Sequence, residues 1–263
     1  MDIKKLKLKH ILRVTISSYE KAIKTDPNNH ILWYNLGNSY DQLEEPQKAI
    51  NCYEKAVELL PKFKDGWLKL GQSYISLESY RKGIICLEKV IRLEPEGSKT
   101  WFIMGVAFLH LKNYDKAIEC FEKAVKIEPN YKEALGELGN IYEIFGKDYK
   151  VIEYREKEAE IDSNDTRVLF SLASAYAKLE AYQKSIVYLK KVIEIDPQNN
   201  KAWYYMGYLY GKTNLGNISK GIECLEKALE LDPNDEAAAS TLRLFKLLKE
   251  NLKKREKIYE NQA

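Results

Sequence analysis

A single spacing governs the chain. Trp33, Trp67 and Trp101 recur at one fixed interval, and Tyr40, Tyr74 and Phe108 follow at the same interval. Pro61, Pro95 and Pro129 repeat it, as do Gly37, Gly71, Gly105 and Gly139. A fixed period of about 20–50 residues, here about 34 residues, marks a stack of like supersecondary units rather than one globular core. A unit of that size cannot cover its own apolar face, so it is stable only against its neighbours. The 263 residues therefore need not be divided into the one or two globular domains that length alone would permit.

Within each unit the pattern reads as two helices. Trp33, Leu36, Gly37 and Tyr40 share one helical face, and Ala49, Tyr53, Ala56 and Val57 share another. The small residues Gly37 and Ala49 let two such helices approach to about 8–10 Å. Pro61 has no amide hydrogen and stops the second helix, so the chain turns into the next copy. The whole pattern is W-x2-L-G-x2-Y, then A-x3-F, then P. One copy carries it as Trp33, Leu36, Gly37, Tyr40, Ala49, Tyr53, Ala56 and Pro61. Another carries it as Trp101, Met104, Gly105, Phe108, Ala117, Phe121, Ala124 and Pro129. On these residues the chain resembles the tetratricopeptide-repeat family along nearly its whole length. The resemblance implies an all-α fold: a right-handed superhelical solenoid of tandem helix-turn-helix units with a C-terminal capping helix.

Repeats are expected at 30–63, 64–97, 98–131, 132–165, 166–199 and 200–235, the last lengthened by two residues around Asn214 to Ser219. Residues 1–29 are expected as an N-terminal half repeat formed by one long helix, because no Gly or Pro interrupts Asp2 to Asp26. Residues 236–263 are expected as the capping helix. Leu242, Leu244, Phe245, Leu247 and Leu248 would cover the last repeat, and the lysines would face water.

The fourth repeat is divergent. Leu135 stands in place of Trp and Ser163 in place of Pro, while Arg155 and Glu158 occupy the places of Phe121 and Ala124 one repeat earlier. Two readings stand side by side: harmless drift, or a soft point at which the stack flexes and residues 149–161 exchange their amides faster than 115–127.

Charge and chemistry exclude several function classes. A net charge of +3, from 42 basic and 39 acidic side chains, gives little steering towards a polyanion and argues against a nucleic-acid partner. The run Lys4, Lys5, Lys7 and Lys9 and the lysine-rich last helix read as solvated ends. Salt-dependent binding to DNA or RNA would reverse that reading. Met1 to Lys9 alternates lysine with apolar residues and lacks a signal-peptide core. The longest uncharged apolar stretch, Thr100 to Leu111, falls short of the roughly 20 residues that span a bilayer. The expectation is a soluble, cytoplasmic protein with no membrane partner. Cys52, Cys86, Cys120 and Cys224 recur with the repeat, just before the large residue of the second helix, and read as reduced packing residues. His10, His30 and His110 share no motif with a nucleophile or metal ligand, and no phosphate-binding loop is present. The chain is expected to be no enzyme and to need no cofactor, no metal and no small-molecule substrate.

The resemblance also implies where a partner would sit, since the inner surface of such a stack comes mainly from the first helix of each repeat. Carried over position by position, the candidates are Tyr34 and Asn38 in repeat one, Lys69 in repeat two, and Lys99, Phe102, Ile103 and Val106 in repeat three. Asn140 represents repeat four, Arg167 and Phe170 repeat five, and Lys201, Tyr204, Tyr205 and Tyr208 repeat six. Phe102, Ile103 and Val106 would form an exposed apolar patch. The three tyrosines would offer large contact area with polar tips. Some relatives clamp a chaperone C-terminus with Lys and Asn, then Asn, then Lys and Arg. Here Tyr34, Lys69 and Ile103 break that clamp, although Asn38 and Lys99 keep it. The reading is a non-catalytic scaffold or adaptor that binds a protein or peptide in its groove, as an amphipathic helix or an extended segment. The alternative is a self-assembling homo-oligomer.

Overall fold

A computed structural model describes residues 3–213 and 217–260, with side chains described for 7–213 and 217–255. Among these residues there are fourteen helices and no strand. A single helix, α1 (Ile3–Thr25), leads the chain. Six pairs follow: α2 (His30–Gln42) with α3 (Pro46–Leu59), α4 (Lys64–Ser76) with α5 (Tyr80–Leu93), and α6 (Ser98–His110) with α7 (Tyr114–Ile127). Next come α8 (Lys132–Ile144) with α9 (Asp148–Ile161), α10 (Thr166–Lys178) with α11 (Tyr182–Ile195), and α12 (Asn200–Thr213) with α13 (Ile218–Leu231). Last is α14 (Glu236–Glu260). The fold is an all-α solenoid of helix-turn-helix units. It divides into two compact units, Met1–Ala134 and Leu135–Ala263.

Local chemistry sets the helix ends. The Asn29 side chain accepts from the amides of Ile31 and Leu32, and Asp165 does the same for Arg167 and Val168. Each satisfies amides that the first helical turn leaves without partners. Within five pairs the turn closes through one left-handed residue: Glu44, Glu78, Lys112 and Glu180, and in the fourth repeat Gly146 at φ 62°. Glycine alone takes this conformation without steric cost. The expected two-residue lengthening near Asn214 to Ser219 lies partly outside the described residues.

In the first unit, each helix packs on the next from α1 to α7. The large residue of the second helix sits on the glycine of the first. A Cβ added at Gly105 would lie 2.7 Å from the Phe121 ring. The Trp–Pro period has its own reason. Trp33 Nε1 donates to the Pro27 carbonyl at 2.9 Å, Trp67 to Pro61 at 2.9 Å and Trp101 to Pro95 at 2.8 Å. Each indole ties the start of one pair to the loop just before it, which leaves α1 in the case of Trp33 and the preceding pair in the other two. The four cysteines are free and buried, and burial pushes the thiols of Cys52, Cys86 and Cys224 up to about 11 and that of Cys120 to about 12.

In the second unit, helices pack in order from α9 to α14. Trp203 repeats the indole bond, to Pro197 at 3.0 Å. Leu135 and Leu169 stand at two of the tryptophan positions and are fully buried instead. Leu242, Phe245 and Leu248 of α14 join a core with Ile222, Leu225 and Ala228 of α13. Leu244 and Leu247, expected in the same contact, are exposed. The helical repeat turns them onto a different face from Leu242, Phe245 and Leu248. Among the described residues, no helix is long and apolar enough to cross a membrane.

Candidate partner-binding site

The first helices of the last two pairs, α10 and α12, flank an open cavity of about 340 Å³. Phe170, Ala173 and Ala177 of α10 form one wall, and Tyr205, Tyr208 and Leu209 of α12 form the other, with Leu189 of α11 behind. Its room comes from α10, where Ala173, Ser174 and Ala177 present only small side chains. Phe170 meets the edge of Tyr205 at 5.5 Å, and Tyr205 meets Tyr204 at 5.2 Å. Lys212 lies 5.5 Å over the Tyr208 ring.

A second cavity of about 350 Å³ adjoins the first, with Phe170, Ser174 and Lys178 lining both. Together they make one trough over α8, α10 and α12. Its far end is polar. Arg155, only 1% exposed, donates through Nη1 to Glu158 at 2.7 Å and to the Gly136 carbonyl at 3.4 Å. Nη2 donates to Asn140 at 2.6 Å and to Glu143 at 3.2 Å, and Nε donates to Ser171 at 3.2 Å. The Ser171 hydroxyl in turn donates to Glu143. Glu158, also 1% exposed, accepts a further bond from Arg167 at 2.6 Å. The buried pair is thus hydrogen-bonded on both sides, as buried charge requires. Lys178 pairs with Asp148 across the trough at 3.3 Å.

The sequence candidates divide between the two units. Phe170, Tyr205 and Tyr208 line the trough; Phe170 is half-buried against the core of α10 to α12, and the two tyrosines are exposed. Asn140 and Arg167 line it too, but each holds a buried charge in place as well. Lys201 is exposed, whereas Tyr204 turns onto the α13–α14 core. In the first unit the expected apolar patch does not stand free. Phe102 packs between Phe121 and Tyr131, at 5.6 and 5.1 Å, and Ile103 joins the core of α5 to α7. Val106 is half-buried. Tyr34 meets the Phe63 ring at 5.1 Å, and Asn38 accepts the Tyr53 hydroxyl at 2.8 Å. Lys69 is half-buried and Lys99 exposed, and neither lines a described cavity. The cavities described in this unit open elsewhere, around Trp67, Tyr74 and Cys86 and, one repeat earlier, Trp33, Tyr40 and Cys52.

The tetratricopeptide repeat matches at residues 30–63 and 98–131, and a second form of it at 65–96, 166–199 and 201–235. These matches cover well over half of the chain. The chain belongs to the tetratricopeptide-repeat family. Neither form matches 132–165, the stretch that holds the Arg155 cluster. Tetratricopeptide-repeat proteins are in general non-catalytic scaffolds for protein or peptide partners, and the fold supports that role here. Similar solved structures include the protein MamA, at 24% identity over 65% of this chain and 94% of that one, with a TM-score of 0.59. MamA from Desulfovibrio magneticus RS-1 aligns at 21% identity over 66% of this chain and 97% of that one, with a TM-score of 0.53. The Cut9–Hcn1 hetero-tetramer of the APC/C aligns at 18% identity over 90% of this chain and 46% of that one, with a TM-score of 0.50. These likenesses show the fold alone. No curated protein matches the chain.

Sequence reasoning takes Arg155 and Glu158 for drift or a soft point. A signal is nonetheless present in this tetratricopeptide-repeat chain: one repeat before Asn140, Glu143, Arg155 and Glu158 stand Val106, Leu109, Phe121 and Ala124. All four differ in polarity from repeat three, the Arg155 and Glu158 places also from repeats one and two, where Tyr53 and Ala56, then Leu87 and Val90, stand, and the four meet in space. The cavity walls from second helices, Tyr182 and Leu189, have no such signal, because position in the repeat points only to first helices.

Proposed function

We propose that the chain is a non-catalytic scaffold that holds a segment of a partner protein in the trough over α8, α10 and α12. The observation that carries this reading is the continuity of two cavities through Phe170, Ser174 and Lys178. Each volume lies in the range of about 300–1,000 Å³ typical of ligand pockets. Tyr205, Tyr208 and Phe170 are the anchors, since aromatic side chains in a desolvated centre dominate binding energy. Tyr34, Asn38, Phe102 and Ile103 serve the packing of the first unit in this reading. Capture of partners from the source cell by the full chain, against Ser174→Trp, tests it. Ser174 is exposed and lines both cavities, so the indole fills the trough at little cost to the core. A partner captured by the wild type and lost from a variant with unchanged helical signal supports the trough; equal capture by both removes it.

Self-assembly is the second reading. On α1, Leu8, Ile11 and Val14 are exposed at 52%, 59% and 55%, along a stripe beside the buried Leu12, Ile16 and Ile23. Light scattering would report a mass that falls to the monomer value in Ile11→Glu. A monomeric wild type at high concentration would end this reading.

A further inference from the structure

The charges around the aromatic cavity specify its guest more narrowly than the fold does. Its described lining carries two charged side chains, Lys178 and Lys212, and no carboxylate. Lys178 reaches Asp148 at 3.3 Å; the aspartate is 15% exposed, whereas the lysine is 54% exposed and its ammonium opens to water. Water and salt screen the exposed end of such a pair, so the ammonium stays open to a second carboxylate on its solvent side. Among the described residues no carboxylate lies at ion-pair distance from Lys212, which rests on the Tyr208 ring. Lys201 adds a third exposed cation on the same helix. Between the lysines the walls are apolar or aromatic: Phe170, Leu189, Leu209, Tyr205 and Tyr208. At the polar end Arg155 is buried against Glu143 and Glu158, and Arg167, though 56% exposed, already meets two carboxylates, the buried Glu158 at 2.6 Å and Asp165 at 3.5 Å, whereas Lys178 meets one and Lys212 none among the described residues.

We propose that the trough selects an acidic segment of a partner protein, in which one bulky apolar side chain enters the α10–α12 cavity and a side-chain carboxylate one or two residues away meets Lys178 and Lys212. The proposal rests on the trough reading above and adds the chemistry of its occupant. The burial of the anchor supplies affinity, while the two ammonium groups reject segments flanked by lysine or arginine. Complementary charge acts mainly in this way, on specificity and rate of encounter.

Fluorescence anisotropy with the full chain and labelled eight-residue peptides, capped at both ends, tests this directly. The peptides carry one central leucine or phenylalanine flanked by glutamates, by glutamines or by lysines, and a fourth set replaces the anchor by alanine. At low salt the glutamate-flanked peptides should bind at least tenfold more tightly than the glutamine-flanked ones, and the lysine-flanked and alanine peptides should bind least. The glutamate preference should vanish in Lys178→Gln/Lys212→Gln, while the glutamine-flanked peptides keep their affinity. All binding should vanish in Ser174→Trp, with Tyr205→Ala as a second variant and helical signal recorded for each. Binding lost in Ser174→Trp without preference for glutamate overturns the acidic chemistry and leaves the trough standing. Binding unchanged by both Ser174→Trp and Tyr205→Ala, or absent for every peptide, overturns the proposal and the trough together.

Discussion

Repeats three and four solve one packing problem with opposite chemistry. In each, the second helix must place a large side chain on a glycine of the first. Repeat three places Phe121 on Gly105, with Val106, Leu109 and Ala124 at the neighbouring repeat positions. Repeat four places Arg155 on Gly139, where an added Cβ would lie 2.7 Å from Nε. Asn140, Glu143 and Glu158 stand at the three equivalent positions and bind it. The glycine is kept because the slot is narrow in both. The difference teaches that the repeat specifies a shape, not a polarity. A guanidinium fills an aromatic slot as long as every donor finds an acceptor, and that condition converts the whole neighbourhood at once.

The sharpest way to break this comparison is to exchange the two solutions. Phe121→Arg puts a cation among Val106, Leu109 and Ala124, with none of the acceptors of repeat four at those places. We expect a loss of about 5 kcal/mol in urea unfolding, from lost packing plus an unpaired buried charge. The reverse exchange, Arg155→Phe with Glu158→Ala, should be neutral or stabilising by about 1–4 kcal/mol, since apolar packing often matches a buried ion network. Asn140 and Glu143 are exposed enough to find water once released. Equal losses in the two directions would show that the slots differ in shape as well as in chemistry.

Next in size is Arg155→Ala, expected to cost about 3–5 kcal/mol because it strands Glu158 and empties the slot. Hydrogen exchange should localise the damage, with amides of 149–161 accelerating at least tenfold while those of 115–127 keep their protection. In the unaltered chain the two segments should be protected alike. Faster exchange at 149–161 without any substitution would return repeat four to a soft point and make the polar cluster a consequence of it.

The same comparison explains what was legible in the sequence. The helix pairs were legible because backbone geometry follows from the spacing of Trp33, Gly37, Tyr40 and Pro61, which needs no knowledge of neighbours. The trough was half legible. Phe170, Tyr205 and Tyr208 follow from their place on first helices, but repeat position cannot tell a free face from one that a neighbour covers. Phe102 occupies the same place as Phe170, two repeats earlier, and is packed between Phe121 and Tyr131. Leu189 and Asn199 stand two repeats on from Phe121 and Tyr131, and Ser174 and Ala177 two repeats on from Val106 and Leu109, so smaller side chains stand at all four places in repeat five. The room therefore depends on side chains that the repeat pattern leaves free to vary.

The smallest expected effect concerns the indole bonds that repeats four and five lack. Trp101 Nε1 donates to Pro95 on the surface, whereas Leu169 stands at the matching place after Ser163 and is buried without any such bond. If the bond alone separates the two solutions, Trp101→Phe should cost about 0.5–1.5 kcal/mol, the net worth of one hydrogen bond. Chemical unfolding resolves that difference. A cost well above that range would mean that the indole ring itself carries packing that Leu169 replaces by its own burial. A cost near zero would mean that the loop geometry is fixed by Pro95 unaided, and that the tryptophan period serves the fold only through the face it covers.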